Sequence, residues 1–83
     1  MKKQVKEQIE KLVKSFNNDG ISRKFKYEVK TIQYKRGHYS VYIFYSLFYS
    51  DDFGKLIQVI TENNLLASSA SINEHDLAYI TLI

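Results

Sequence analysis

Cysteine is absent from the 83-residue chain, which removes disulfide staples, a zinc knuckle and a thiol nucleophile from consideration. Proline is absent as well, and the residue choice leans to Lys, Ile, Asn, Tyr and Phe, whose codons are AT-rich. That is a statement about coding bias, and it points to a low-GC bacterium or a phage or other mobile element within one. Long apolar runs are also missing. The longest stretch, around Val41 to Tyr49, is broken by Ser46 and is too short to span a bilayer, and no charged-then-apolar leader opens the chain. A soluble protein in a reducing, cytoplasmic compartment is therefore expected, without membrane contact. Glycine is scarce, and Gly20, Gly37 and Gly54 lie too far apart to build a phosphate-cradling loop.

The side chains that carry catalysis are equally thin. His38 and His75 are the only histidines, and neither has a partner at metal-ligand or triad spacing. His75 sits in Asn73-Glu74-His75-Asp76, which reads as a solvated turn between two strands. Asp51 and Asp52 stand together where a helix begins, a position in which carboxylates stabilise the helix dipole rather than share a catalytic proton. The expectation is a protein that is not an enzyme, with no catalytic residues, no metal and no small-molecule cofactor.

What the chain does have is an ordinary globular composition, 45% hydrophobic and 25% charged, enough for one domain over residues 1–83 with one modest core. Its formal charge of +3 hides an uneven distribution. Residues 1–36 hold eleven Lys or Arg against four carboxylates, a net +7, whereas residues 37–83 hold Lys55 alone against five, a net −4. Such a dipolar chain attracts an anionic partner through one side, or a copy of itself.

Hydrophobic spacing gives the elements. Val5, Ile9, Leu12, Val13 and Phe16 form one stripe of a helix, which Asn17, Asn18, Asp19 and Gly20 then end through the left-handed conformation. From Arg23 to Tyr34 the period becomes two, with Phe25, Tyr27, Val29 and Thr31 on one side and Lys24, Lys26, Glu28 and Lys30 on the other. A second strand runs from His38 to Tyr49, rich in β-branched and aromatic residues. A three-residue loop, Lys35-Arg36-Gly37, places Gly37 at the left-handed bulge position, and paired residue numbers then sum to 72. Phe25 faces Leu47, Tyr27 faces Tyr45, Val29 faces Ile43 and Thr31 faces Val41. On the reverse side Lys24 meets Phe48, Lys26 meets Ser46, Glu28 meets Phe44 and Lys30 meets Tyr42. Ser50 or Asp51 caps a second helix whose buried stripe is Phe53, Leu56, Ile57 and Ile60, ending near Asn63 and Asn64. Leu66 to Ile72 reads as a short Ser-rich strand and Leu77 to Ile83 as a final apolar one.

The order αββαββ implies an α+β fold: a two-layer sandwich of a four-stranded antiparallel-type sheet with both helices on one face. It is the order left when the first strand of a ferredoxin-like βαββαβ unit moves to its end. The second and fourth strands are then central, and the Lys-bearing first and Ser-rich third strands lie at the edges. The sheet's other face carries Tyr34, Tyr42, Phe44 and Phe48, joined by Tyr79, with Ser40 and Ser46 between them. These five aromatics are the candidate partner-binding residues, because an apolar patch of a few hundred Å² marks interaction sites.

The leading expectation is a small binding protein that docks on a protein or nucleoprotein partner, or on itself as a homodimer, in the manner of an inhibitor or adaptor from a mobile element. The alternative is a single-stranded nucleic-acid binder, with bases stacked on the aromatics and Lys24, Lys26, Lys30 and Arg36 as phosphate contacts. Set beside the RNA-recognition motif, whose central strand reads Lys/Arg-Gly-Phe/Tyr-Gly/Ala-Phe-Val-x-Phe/Tyr, the segment from Arg36 to Ile43 agrees at Arg36, Gly37 and Val41. His38 and Ser40 hold the stacking positions and Ile43 the last aromatic one, so the chain is not assigned to that family.

Overall fold

The structure is a computed structural model that describes residues 1–18, 26–71 and 78–83. Its elements run α1 (Lys3–Asn17), β1 (Glu28–Lys35), β2 (His38–Tyr45), α2 (Ser50–Glu62), β3 (Ala67–Ser71) and β4 (Ala78–Leu82). This is an α+β fold with one antiparallel sheet in the order β1-β2-β4-β3, so β2 and β4 are central and β1 and β3 are the edges.

The hairpin register is the one the alternation requires. Glu28 pairs with Phe44, Val29 with Ile43, Lys30 with Tyr42, Thr31 with Val41, Ile32 with Ser40 and Gln33 with Tyr39. The pairing then shifts between Gln33 and Lys35, so Lys35 pairs with His38 and the turn is the two residues Arg36 and Gly37 rather than the expected three. Of the two, Gly37 alone is left-handed, at a φ of 76°, so Arg36 is spared the positive φ that argued against so short a turn.

The strands are shorter than the sequence pattern predicts. The ladder begins at Glu28, and β2 ends at Tyr45, where a bend at Ser46 and Leu47 turns the chain toward α2. The expected strand pairs of Tyr27 with Tyr45 and Lys26 with Ser46 therefore lie beyond the end of the ladder. Arg23, Lys24 and Phe25 lie outside the described residues, as do Asp19 and Gly20 and the turn holding His75.

Both helices bury side chains into one cluster on the same face of the sheet. Ile9, Val13 and Phe16 of α1 and Leu56 and Val59 of α2 meet Val41 and Ile43 of β2 and Ile80 and Leu82 of β4 there. The α1 stripe is as spaced in the sequence, with Val5 and Leu12 half-buried at its border. It ends at Asn17, within the expected segment; Asn18 has a φ of −114° and is not left-handed, while Asp19 and Gly20 lie outside the described residues. The Asn17 side chain ties this end to the start of β1. Its Nδ2 donates to the Tyr27 carbonyl and its Oδ1 accepts from the Tyr27 N–H, each at 3.0 Å.

α2 is rolled from the predicted orientation. Its buried residues are Asp52, Leu56 and Val59, while Phe53 and Ile57 stay more than two-fifths exposed and Ile60 is half-buried. The cause is Asp52, which is buried so that the Tyr27 hydroxyl can donate to its Oδ2 at 2.8 Å, while the Tyr49 N–H donates to the same hydroxyl oxygen at 3.1 Å. Tyr49, rather than Ser50 or Asp51, occupies the N-cap position without a side-chain cap. The other end is as expected. Asn64 is left-handed at φ 53°, the Leu65 N–H donates to the Ile60 carbonyl and the Asn64 N–H to that of Thr61, which is the Schellman arrangement.

Where β4 runs out beside β2, Met1 takes over the pairing. Its ammonium donates to the Tyr39 carbonyl and the Tyr39 N–H to the Met1 carbonyl, both at 2.7 Å. Lys6 lies 5.2 Å above the Tyr39 ring and 2.8 Å from a Glu10 carboxylate oxygen. The hydrogen bond to Glu10 raises the Lys6 pKa above that of an ordinary lysine.

The hydrogen bonds converging on Tyr27 generate a stability test. Tyr27→Phe leaves the ring in place but removes the hydroxyl from Asp52 and Tyr49, and is expected to cost about 1–3 kcal/mol in urea unfolding. Asn17→Ala is expected to cost about 1–2 kcal/mol by freeing the backbone at Tyr27. A loss below about 0.5 kcal/mol for both variants contradicts the assignment.

Candidate interaction face of the sheet

The face of the sheet opposite the helices is built by the alternate residues of each strand. In β2 these are His38, Ser40, Tyr42 and Phe44, in β1 Glu28, Lys30 and Ile32, in β4 Tyr79 and Thr81, and in β3 Ser68 and Ala70. Register brings the central aromatics together: Phe44 pairs with Tyr79 across β2 and β4, their ring centroids 5.7 Å apart, and Tyr42 lies 6.2 Å from Tyr79 on the diagonal. All three rings are half-buried by one another, which fixes them as a platform before anything binds. Lys30 and Ile32 complete the wall of a shallow hollow of about 220 Å³ between these rings.

Four of the five aromatics expected on this face are there. Tyr34 stands apart from the central three, 53% exposed at the hairpin end, with its ring 6.1 Å from that of His38. Phe48 is not on the face, and this corrects the sequence reading. The bend after Tyr45 carries it to the helix side, where its ring lies 4.7 Å from Tyr27, 4.9 Å from Tyr45 and 5.5 Å from Phe53. Extending the β2 alternation through Ser46 put Phe48 with Phe44, and the bend cancels that phase.

The basic residues are less concentrated than the Lys row implied. Lys30 borders the hollow, but Glu28 sits on the same face beside it, opposite Phe44. Lys26 is exposed ahead of β1, Arg36 is exposed in the hairpin turn, and Lys24 lies outside the described residues.

Two features of the face went unread in the sequence. Ile32 is 40% exposed next to Lys30, and Leu66 and Ile83 are exposed where β3 and β4 meet. Leu66 and Ile83 exchange backbone hydrogen bonds of 3.0 and 2.9 Å, and their parity with Ser68 and Thr81 puts both on the open face. Strict period-two reading of β1 and β4 would have found Ile32 and Ile83.

A wider hollow of about 500 Å³ lies between α1 and β1, but its Asn17 and Tyr27 are committed to the bonds that hold those elements together. Among the described residues no three His, Cys, Asp or Glu side chains group as metal ligands do, and no helix is long and apolar enough to cross a membrane.

The two phenylalanines now separate. Phe48→Ser is expected to destabilise the protein by about 2–3 kcal/mol, because it vacates a site among three rings. Phe44→Ser should cost less than half as much, on a face that no helix covers. Thermal or urea denaturation of the two variants measures the difference, and equal losses contradict the placement of Phe48.

No protein-family model, curated protein or solved structure matches the chain.

Proposed function

We propose that the protein is a non-enzymatic binding module that docks on a protein partner through the open face of its sheet. The observation that carries this reading is the platform of Tyr42, Phe44 and Tyr79 around an apolar hollow, on a face to which neither helix contributes. Aromatic rings held in place before binding lose little conformational entropy on contact, and Tyr hydroxyls at their rim accept or donate hydrogen bonds to a partner. Such a domain acts by occupying the surface of a larger assembly, as an inhibitor or adaptor does. The strand order β1-β2-β4-β3 with its αββαββ chain order supports reading the topology as a ferredoxin-like unit whose first strand has moved to the end.

Protein is favoured over nucleic acid by the charge on the face, where Lys30 and Glu28 offset one another beside the rings. Immobilised protein exposed to native lysate, with bound material identified by mass spectrometry, tests the reading. A partner retained in ~1 M salt and lost with the Tyr42→Ser, Phe44→Ser double variant is expected, since apolar burial is insensitive to screening. Retention by the double variant overturns the assignment to this face. Binding of labelled single-stranded oligonucleotides that falls steeply as salt rises overturns it in favour of phosphate recognition.

A further inference from the structure

The two edges of the sheet are unlike. β1 carries Glu28, Lys30 and Lys35 and a register shift near its end, features that discourage another strand from pairing. β3, Ala67-Ser68-Ser69-Ala70-Ser71, has no charge, no proline and no side chain larger than serine, and all five residues are exposed. The phase of its ladder is set by Leu66 and Ile83, which exchange both backbone bonds. By the alternation of antiparallel pairs, Ser68 and Ala70 then bond to β4, while the N–H and C=O of Ala67, Ser69 and Ser71 point to the open edge.

Above that edge, on the helix side, lies a groove of about 190 Å³ lined by Phe53, Ile57 and Ile60 of α2, Ala67, Ser68 and Ser69 of β3, and Ile80. Phe53 and Ile57 are 44% and 43% exposed there, which is the consequence of the roll of α2 toward Asp52. Asp51, Lys55 and Glu62 fall on the far side of the helix by its 3.6-residue turn, so the flank that faces the groove is uncharged.

We infer that β3 is the interface of a homodimer, in which a second copy of the chain adds its own β3 antiparallel about a twofold axis through Ser69. The phase fits this occupant, because Ser69 presents both its N–H and its C=O to its symmetry mate. Ala67 and Ser71 do the same for each other, giving about six backbone hydrogen bonds. Across the axis Ala67 meets Ser71 and Ser68 meets Ala70, so the short segment is complementary to itself in size and places no like charges opposite one another. The two α2 helices then run antiparallel across the groove with opposed dipoles, and Phe53 and Ile57 of each copy cover the small residues of both β3 strands. The unlike β1 edge keeps the arrangement closed at two copies rather than open-ended. The result is a continuous eight-stranded sheet with both aromatic faces on one side.

Light scattering after size exclusion at ~100 µM tests this by mass action. The wild-type chain is expected at twice its 9.8 kDa mass. Ser69→Pro removes an N–H that β4 does not use and obstructs the axis, so it should give a monomer with an unchanged far-ultraviolet circular dichroism spectrum. Ser69→Lys, which sets two ammonium groups against each other at the axis, should give a monomer as well and serves if the proline variant fails to fold. The Tyr42→Ser, Phe44→Ser double variant should remain a dimer. A monomeric wild type, or a dimer that persists in Ser69→Lys or is lost only in the aromatic-face variant, overturns the proposal.

Discussion

The fold depends on what Tyr27 holds together. This one residue receives the end of α1 through the Asn17 amide, meets Phe16 edge-on and packs on Phe48. It also binds the start of α2 through Asp52 and Tyr49. Its phenol is amphipathic in the useful sense, since the ring fills a core too small to spare volume and the hydroxyl supplies a partner for a buried acid. An apolar residue there would fill the space and leave Asp52 without that donor.

The roll of α2 follows from that bond, and the open features of the molecule follow from the roll. With Asp52 turned inward, Leu56 and Val59 become the core residues of the helix and Phe53 and Ile57 are pushed to its flank. Leu56 and Val59 thereby join the core with the central strands, while Phe53, Ile57 and Ile60 face β3 across an open groove, because its side chains are small. On the far side of the sheet Tyr42, Phe44 and Tyr79 pack beside one another, with Lys30 and Ile32 at their border.

Much of this was legible from spacing. The α1 stripe, the left-handed Gly37 and the hairpin register from Glu28 to Gln33 all follow from local rules that the chain obeys, as does the central position of β2 and β4. What was not legible depended on long-range polar contacts. Hydrophobic periodicity assigns Asp52 to solvent because nothing nearby in sequence announces a phenol to receive it, so the stripe was placed at Phe53 and Ile57. The same blindness extended β2 through Ser46 to Phe48, since a bend between two apolar segments looks like one polar residue in a strand. Of the expected face, Tyr42, Phe44 and Tyr79 could be read because ladder alternation fixes them. Phe48 could not, because it lies beyond the last pair.

The order of the strands bears on how the chain acquires its structure. β1 and β2 form a hairpin closed by a short turn, so they pair early and at little entropic cost. Their apolar inner edge, Val41 and Ile43, nevertheless waits for Leu82 and Ile80, some forty residues downstream. Among the described strands of one chain β3 pairs with β4 alone, so it too waits for residues 78–82. A chain emerging from the ribosome therefore cannot complete its sheet residue by residue. The core, which needs Ile80 and Leu82 at the centre of the sheet, closes only once that segment is present.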